Sequence, residues 1–301
     1  MQYLAKSSRI GDMESKPRIA FFGGEPLGLP ALQALCSAGL TPSLVVCNPD
    51  RPSGRGLELT PPRIKVWAQA QGIEVFQPTS YKTQEELLRL TEVTWDLFVV
   101  VAYNFILPKW FLELPKHGVI NVHPSLLPKL RGASPIRTAI LENLRGEVGV
   151  SIMLMDEKMD HGPLLAQTPL ALNDWPIDGP MLDDMLAQIG GEMLARTIPK
   201  FLTGEVTPTE QNHDEATYSK KFEKADAELH IDPDNLPTGN EAFSTLCKIN
   251  AWLCTGDTFF IDTGKRVKVK GAVLLDGALY LTRVIPEGKK EIDFKTYLSS
   301  R

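Results

Sequence analysis

Only four cysteines occur in 301 residues, at positions 36, 47, 247 and 254, and no two are spaced Cys-x-x-Cys. Their neighbours are apolar, which argues against a zinc knuckle or a redox motif and predicts buried free thiols. Long apolar runs are also missing: no stretch approaches the roughly 18 residues of a membrane span. Met1 to Pro17 carries scattered charges instead of the apolar core of a secretory signal, so a cytoplasmic protein with no membrane partner is expected. Basic excess is absent as well. Asp and Glu number 37 against 32 Lys and Arg, a formal charge of −5, which argues against a surface that binds nucleic acid along its whole extent. Nucleotide fingerprints are lacking too: Gly23-Gly24-Glu-Pro-Leu-Gly28 does not fit G-x-G-x-x-G, and G-x-x-x-x-G-K-[ST] occurs nowhere.

What is present is an ordinary globular composition, 43% hydrophobic and 23% charged, long enough for two domains. Short apolar runs at 18–22, 44–47, 73–76, 97–102 and 119–122 read as buried strands. Helical spacing at 29–38, 63–70 and 84–90 separates them, the first two stopped by Gly39 and Gly72. This alternation predicts an α/β fold, a Rossmann-like, mostly parallel open sheet with right-handed crossovers. Runs 148–155 and 163–172 extend the sheet, and 180–201 is the longest helical pattern. We divide the chain into a disordered extension (1–17), a catalytic unit (18–202), a solvated linker (203–240) and a small β-domain (241–301).

Three stretches carry candidate chemistry. In Gly118-Val-Ile-Asn-Val-His-Pro-Ser-Leu-Leu-Pro-Lys-Leu-Arg-Gly132, Asn121 and His123 lie two apart on a strand and so leave the same face. They sit at its carboxyl end, where open α/β sheets bind ligands. An amide beside an imidazole can hold the oxyanion of a tetrahedral intermediate, and histidine can move a proton; a structural histidine is the alternative. The loop Met155-Asp156-Glu157-Lys158-Met159-Asp160-His161-Gly162 supplies a carboxylate that could orient that histidine, or is a solvated turn. Chemistry alone does not separate Asp156, Glu157 and Asp160, and no ligand spacing supports a metal. In Asn48-Pro-Asp-Arg-Pro-Ser-Gly-Arg-Gly56, Arg51 and Arg55, with Arg63 and Lys65 behind, are cations suited to phosphates, or ordinary surface charge.

Together these stretches resemble the methionyl-tRNA formyltransferases, over nearly the whole of residues 18–201. Asn121-x-His123-Pro-Ser-Leu-Leu-Pro128, Arg131-Gly-Ala-Ser-Pro135 and an Asp 37 residues after the histidine are shared by formyltransferases that use 10-formyltetrahydrofolate. Asn48-Pro-Asp-Arg-Pro-x-Gly-Arg-Gly56 is similar to the loop with which the tRNA-specific members engage initiator tRNA. Val99-Val-Val-Ala-Tyr103, Ile106-Leu-Pro108 and Thr217-Tyr-Ser-Lys-Lys look like further family elements. The resemblance implies a formyltransferase fold followed by an OB-like β-domain. It also implies transfer of the formyl group of 10-formyltetrahydrofolate to the α-amine of methionyl initiator tRNA by a monomer without a metal. The implied catalytic set is Asn121, His123 and Asp160. The implied folate contacts are Val100, Tyr103, Ile106, Leu107, Ser125, Leu126, Leu127, Pro128 and Met155, and the implied tRNA contacts are Arg51, Arg55, Lys268 and Lys270. The rival readings are an amino-sugar N-formyltransferase acting on a nucleotide-linked sugar and an inactive folate- or RNA-binding relative.

The chain departs from the family pattern in three places. Asn104-Phe105 follows Ala-Tyr where a glycine is usual, and His161 stands in place of the threonine of Asp-Thr-Gly. The last 50 or so residues are too few for a complete five-stranded barrel, and Ile249-Asn-Ala-Trp252 lacks both prolines of the family's Asn-Pro-Trp-Pro start. The tail is nonetheless basic: residues 265–301 hold nine Lys and Arg against four Asp and Glu, a local +5 that leaves −10 on the rest. Gathered charge of this kind permits RNA binding by a net-acidic chain.

Overall fold

The structure, a computed structural model, describes residues 16–53, 57–253 and 255–301. The expected N-terminal extension (up to residue 15), Arg55 and Cys254 lie outside the described residues. The chain runs β1 (Ile19–Gly23), α1 (Gly28–Ser37), β2 (Leu44–Cys47), β3 (Arg51–Ser53), β4 (Glu58–Thr60), α2 (Arg63–Ala70) and β5 (Glu74–Phe76). It continues through α3 (Leu88–Thr91), β6 (Leu97–Val101), α4 (Lys109–Leu112), β7 (Val119–His123), α5 (Pro135–Leu141), β8 (Gly149–Leu154), β9 (Leu164–Pro169) and the 24-residue α6 (Gly179–Leu202). These strands build one seven-stranded sheet in the order β5-β2-β1-β6-β7-β8-β9, apart from the separate β3–β4 hairpin. The first five strands are parallel, and β8 and β9 add antiparallel. The expected helix at 84–90 is instead a 3₁₀ turn (Glu85–Leu87) leading into α3, because Leu87 leaves helical geometry at φ −123°.

Strand alternation sorts the apolar residues onto two faces. Phe21, Val45, Val99 and Ile120 face α1, α5 and α6 in one core. Their sequence neighbours Phe22, Val46, Phe98, Val100 and Val119 face the other way, into a cluster with Phe111, Tyr81 and Trp95. Asn121 and His123 share the parity of Val119, so both belong to this second, aromatic face. Cys47, buried under α2, has its thiol pushed up to about 12 by desolvation, and Cys247 is pushed up to about 11 for the same reason. Thiolate is therefore scarce at both. Alkylation at pH 8 is expected to label Cys47 and Cys247 only after denaturation, as peptide mapping would read.

The C-terminal unit comprises α7 (Gly239–Trp252), β10 (Phe259–Asp262), β11 (Lys265–Leu275), β12 (Ala278–Pro286), β13 (Ile292–Asp293) and α8 (Phe294–Ser299). Its strands form a four-stranded antiparallel sheet in chain order, with the first and last strands not paired to each other. Ala242, Leu246 and Ile249 of α7 and Phe294 and Tyr297 of α8 join Val267, Val269, Leu279, Leu281 and Val284 in one core. Two helices thus cover this small antiparallel sheet. Ile249-Asn-Ala-Trp252 falls in the last turns of α7, where a proline would remove a backbone donor and clash with the preceding turn. Cys247 and Ala251, on another side of α7, pack into the first core, which ties the two units together. No helix among the described residues is long and apolar enough to cross a membrane.

Most residues of segment 203–240 are exposed, and the segment is also tied to the first unit. Its polar residues hydrogen-bond back onto the first unit: the Arg131 amide donates to the Thr217 carbonyl (2.9 Å), and the Ser219 amide donates to the Arg131 carbonyl (2.7 Å). The Leu130 amide donates to Thr217 Oγ1. A low apolar content signalled exposure, but these groups are held by backbone pairing, which hydropathy does not register.

Candidate active site

β7 ends at the carboxyl edge of the sheet, between parallel β6 and antiparallel β8. The chain then turns sharply, the Ser125 amide donating to the His123 carbonyl at 2.9 Å. His123 is buried, 3% exposed. Its Nε2 lies 2.9 Å from the Leu130 carbonyl oxygen; because a carbonyl only accepts, Nε2 carries hydrogen. The other ring nitrogen, Nδ1, lies 3.6 Å from Asp160 Oδ1. Asn121 Nδ2 approaches the same oxygen at 3.5 Å, the outer limit of a hydrogen bond. The second carboxylate oxygen accepts the Gly132 amide at 2.7 Å.

The fold thereby separates three acids that chemistry alone left equivalent. Asp160 faces Asn121 and His123. Asp156 instead accepts from His161 Nδ1 (2.6 Å) and from the Lys158 amide, and Glu157 pairs outward with exposed Lys109 (2.6 Å). Asp160 adopts φ +50°, a left-handed conformation that Asp tolerates better than most residues. It is held there from outside its own loop: Gln211 Nε2 donates to the Asp160 carbonyl (3.0 Å) and to the Gly162 carbonyl (2.7 Å).

The expected folate-contacting residues divide in two. Val100, Tyr103, Leu107 and Met155 share the aromatic cluster on the face of Asn121, with Tyr103 and Met155 half-buried. Phe105, at one of the departures from the family pattern, packs 5.3 Å from Tyr103 and 5.4 Å from Tyr81, ring centre to ring centre, and so joins this wall. The Tyr81 and Tyr103 hydroxyls share a hydrogen bond at 2.8 Å, and desolvation pushes both phenols up, so they stay neutral. Ile106 beside them is 90% exposed. The other group turns inward. Ser125 is fully buried and donates to the Lys129 carbonyl, and the buried Leu127 uses its amide on Ser151 and its carbonyl on Gln167. The Leu126 amide donates to the Glu147 carbonyl. Ser125 and Leu127 therefore shape the loop from within, while Leu126 and Pro128 remain half-buried at its surface.

The cationic residues also divide. Arg51 is exposed, opens the β3–β4 hairpin beyond β2, and makes no ion pair among the described residues. Lys65 is committed to Asp50 at 2.8 Å, an interaction that, with Gln77, holds the Asp50 carboxyl below its ordinary range. In the tail, Lys270 (2.7 Å) and Lys268 (3.7 Å) share the single carboxylate of Asp257, which leaves a net positive charge on the group.

Sequence reasoning missed Gln211 and His213, which it placed in the linker, and assigned Arg131 no role of its own. The guanidinium of Arg131, 2% exposed, donates to Gln211 Oε1 (2.6 and 3.2 Å) and to His213 Nδ1 (2.9 Å). The His213 ring in turn stacks on His161, with centroids 4.0 Å apart and planes 7° from parallel. The one available signal was Thr217-Tyr-Ser, an ordered motif within an otherwise polar stretch.

An amide and an imidazole at one strand end, with a carboxylate from the neighbouring loop and an aromatic wall beside them, form a set of groups of the kind that supports acyl transfer. The sequence profile described as formyl transferase matches residues 17–175. A methionyl-tRNA formyltransferase of Geobacillus sp. is 33% identical over 93% of this chain and 93% of its own length. The chain belongs to the methionyl-tRNA formyltransferase family. It is accordingly a formyl-transfer enzyme. Solved structures agree on the fold: a 4-N formyltransferase from Francisella tularensis has a TM-score of 0.62 at 20% identity, covering 83% of this chain and 95% of its own. The methionyl-tRNA formyltransferase from Clostridium thermocellum has a TM-score of 0.56 at 15% identity, covering 89% and 97%. Fold likeness alone does not choose between these two acceptor classes; sequence identity along the whole chain places it in the family. Among the described residues no group of three or more His, Cys, Asp or Glu could hold a metal ion.

Proposed function

We propose that the protein transfers the formyl group of 10-formyltetrahydrofolate to the α-amine of methionyl initiator tRNA, acting as a monomer in the cytoplasm. The observation that carries this reading is Asp160, set by the Gly132 amide against both Asn121 and His123. The donor supplies a carbon already at the formyl level, so the transfer involves no redox step. The amine nitrogen adds to that carbon, its proton leaves, and collapse of the tetrahedral adduct breaks the bond to N10, which regains a proton.

His123 Nε2–H is engaged by the Leu130 carbonyl, so only Nδ1 is available to the reaction. Neutral, Nδ1 accepts a proton; protonated, it donates to the developing oxyanion alongside the Asn121 amide. The Asp160 carboxylate 3.6 Å away supports the imidazolium in that second state. The half-buried Tyr103, Phe105 and Met155, packed against the aromatic cluster, are the apolar side chains we assign to contact with the pterin ring.

Arg51, at the same carboxyl edge of the parallel strands as His123, supports a role in gripping the tRNA backbone, and we extend that role to Arg55. Arg51→Ala is expected to weaken tRNA binding and to reduce the slope of log K against log salt by about 1, the contribution of one phosphate contact. An unchanged slope in a salt titration would assign the contact elsewhere. The acceptor is tested by incubating the protein with 10-formyltetrahydrofolate and either charged initiator tRNA or a nucleotide-linked amino sugar. Mass gain on the methionyl-tRNA alone is the expected result, and gain on the sugar overturns it.

A further inference from the structure

Arg131 presents a physical problem that its backbone hydrogen bonds do not solve. A guanidinium 2% exposed has no carboxylate partner among the described residues, although a buried charge is costly unless paired or fully hydrogen-bonded. Its partners are instead a neutral amide, Gln211 Oε1, and a neutral ring nitrogen, His213 Nδ1. Gln211 is itself 5% exposed and uses its whole hydrogen-bonding capacity. Its oxygen takes two guanidinium donors, and its nitrogen donates to the carbonyls of Asp160 and Gly162, on either side of His161. Asp160 is thus gripped at both ends from one dipeptide: Arg131 holds its backbone through Gln211, and the Gly132 amide holds its carboxylate at 2.7 Å. His213, stacked on His161, ties the same loop to Arg131 a second time.

We infer that Gln211 and His213 are positioning residues for Asp160: with buried Arg131 they form a relay that holds the acidic loop in the left-handed turn placing Asp160 against His123. This rests on the functional reading above for its catalytic consequence, but not for the relay itself. A glutamate at 211 would still accept from Arg131, and would give it a counter-ion, but could not donate to the two loop carbonyls. The substitution therefore separates satisfying Arg131 from positioning Asp160.

In the full chain, Gln211→Glu is expected to stay folded, its ion pair with Arg131 offsetting part of the two lost hydrogen bonds, while kcat falls about 30- to 100-fold, the scale of a displacement of about 1 Å at a reacting group. KM for 10-formyltetrahydrofolate should stay within about two-fold, and the amides of Gly132 and residues 156–162 should exchange hydrogen faster. His213→Ala should lower kcat about 10-fold, with His213→Phe, which keeps the stack, recovering part of it. Parental kcat or parental exchange in the folded Gln211→Glu protein overturns the inference. Should that variant not fold, the same two readings on His213→Ala decide the matter. Absence of transfer to methionyl-tRNA in the parent itself would instead sink the functional reading, while the exchange rates still judge the relay.

Discussion

Replacing His123 with alanine is expected to lower kcat for formyl transfer about 10³-fold, with the protein still folded. Positioned proton transfer contributes 10²- to 10⁴-fold in typical enzymes, and loss of one oxyanion donor costs 10²- to 10³-fold. The single nitrogen Nδ1 serves both purposes here, since Nε2 is held by the Leu130 carbonyl. Asp160→Asn, which keeps an oxygen for the Gly132 amide but loses the charge that supports the imidazolium, should fall about 10²-fold. Single-turnover formylation of charged tRNA, followed by mass or by acid gel, reads both. A His123→Ala enzyme within ten-fold of the parent would remove the imidazole from the mechanism.

The second large effect is expected at Gly162. A Cβ there would sit 2.0 Å from the carbonyl oxygen of Leu154, closer than any real contact, and 3.1 Å from its carbon. The obstacle is backbone of β8, one of the inner strands of the sheet, so the loop and not the strand must yield. The loop carries Asp160 two residues away. Gly162→Ala should therefore destabilise the protein by about 2 kcal/mol, the usual cost of overpacking a well-fitted site. It should also lower kcat about 10²-fold through displacement of the carboxylate. Urea unfolding and steady-state kinetics test the two halves separately; parental values in both would show that the loop relaxes without moving Asp160.

Much of the catalytic unit is legible in the chain because its signals are local. Buried parallel strands read as apolar runs, and their crossover helices end at Gly39 and Gly72, both of which adopt positive φ. The pair Asn121 and His123 follows from the two-residue period of a strand, and the structure keeps both on one face. The C-terminal unit was less legible. Its strands have clear β periodicity, but α7 divides its buried residues between two cores, and α8 is only six residues long. That Lys268 and Lys270 share Asp257 is likewise not legible in the chain, because the carboxylate precedes them by 11 and 13 residues and meets them through the pairing of β10 with β11.

By itself, then, the sequence determined the α/β class, the strand carrying Asn121 and His123, the family, and the candidate acids to within one short loop. The family is carried by the resemblance of its motifs; the rest are properties of periodicity and spacing, set within a few residues along the chain. Only the tertiary structure decided which acid faces the imidazole, which histidine nitrogen is free, and that a polar stretch some 50 residues beyond Asp160 supplies Gln211 and His213 to hold it. Each of these is a contact between segments distant in sequence. The left-handed turn at Asp160 and the burial of Arg131 are conformations that no residue's local preference specifies, and the surrounding hydrogen bonds impose them.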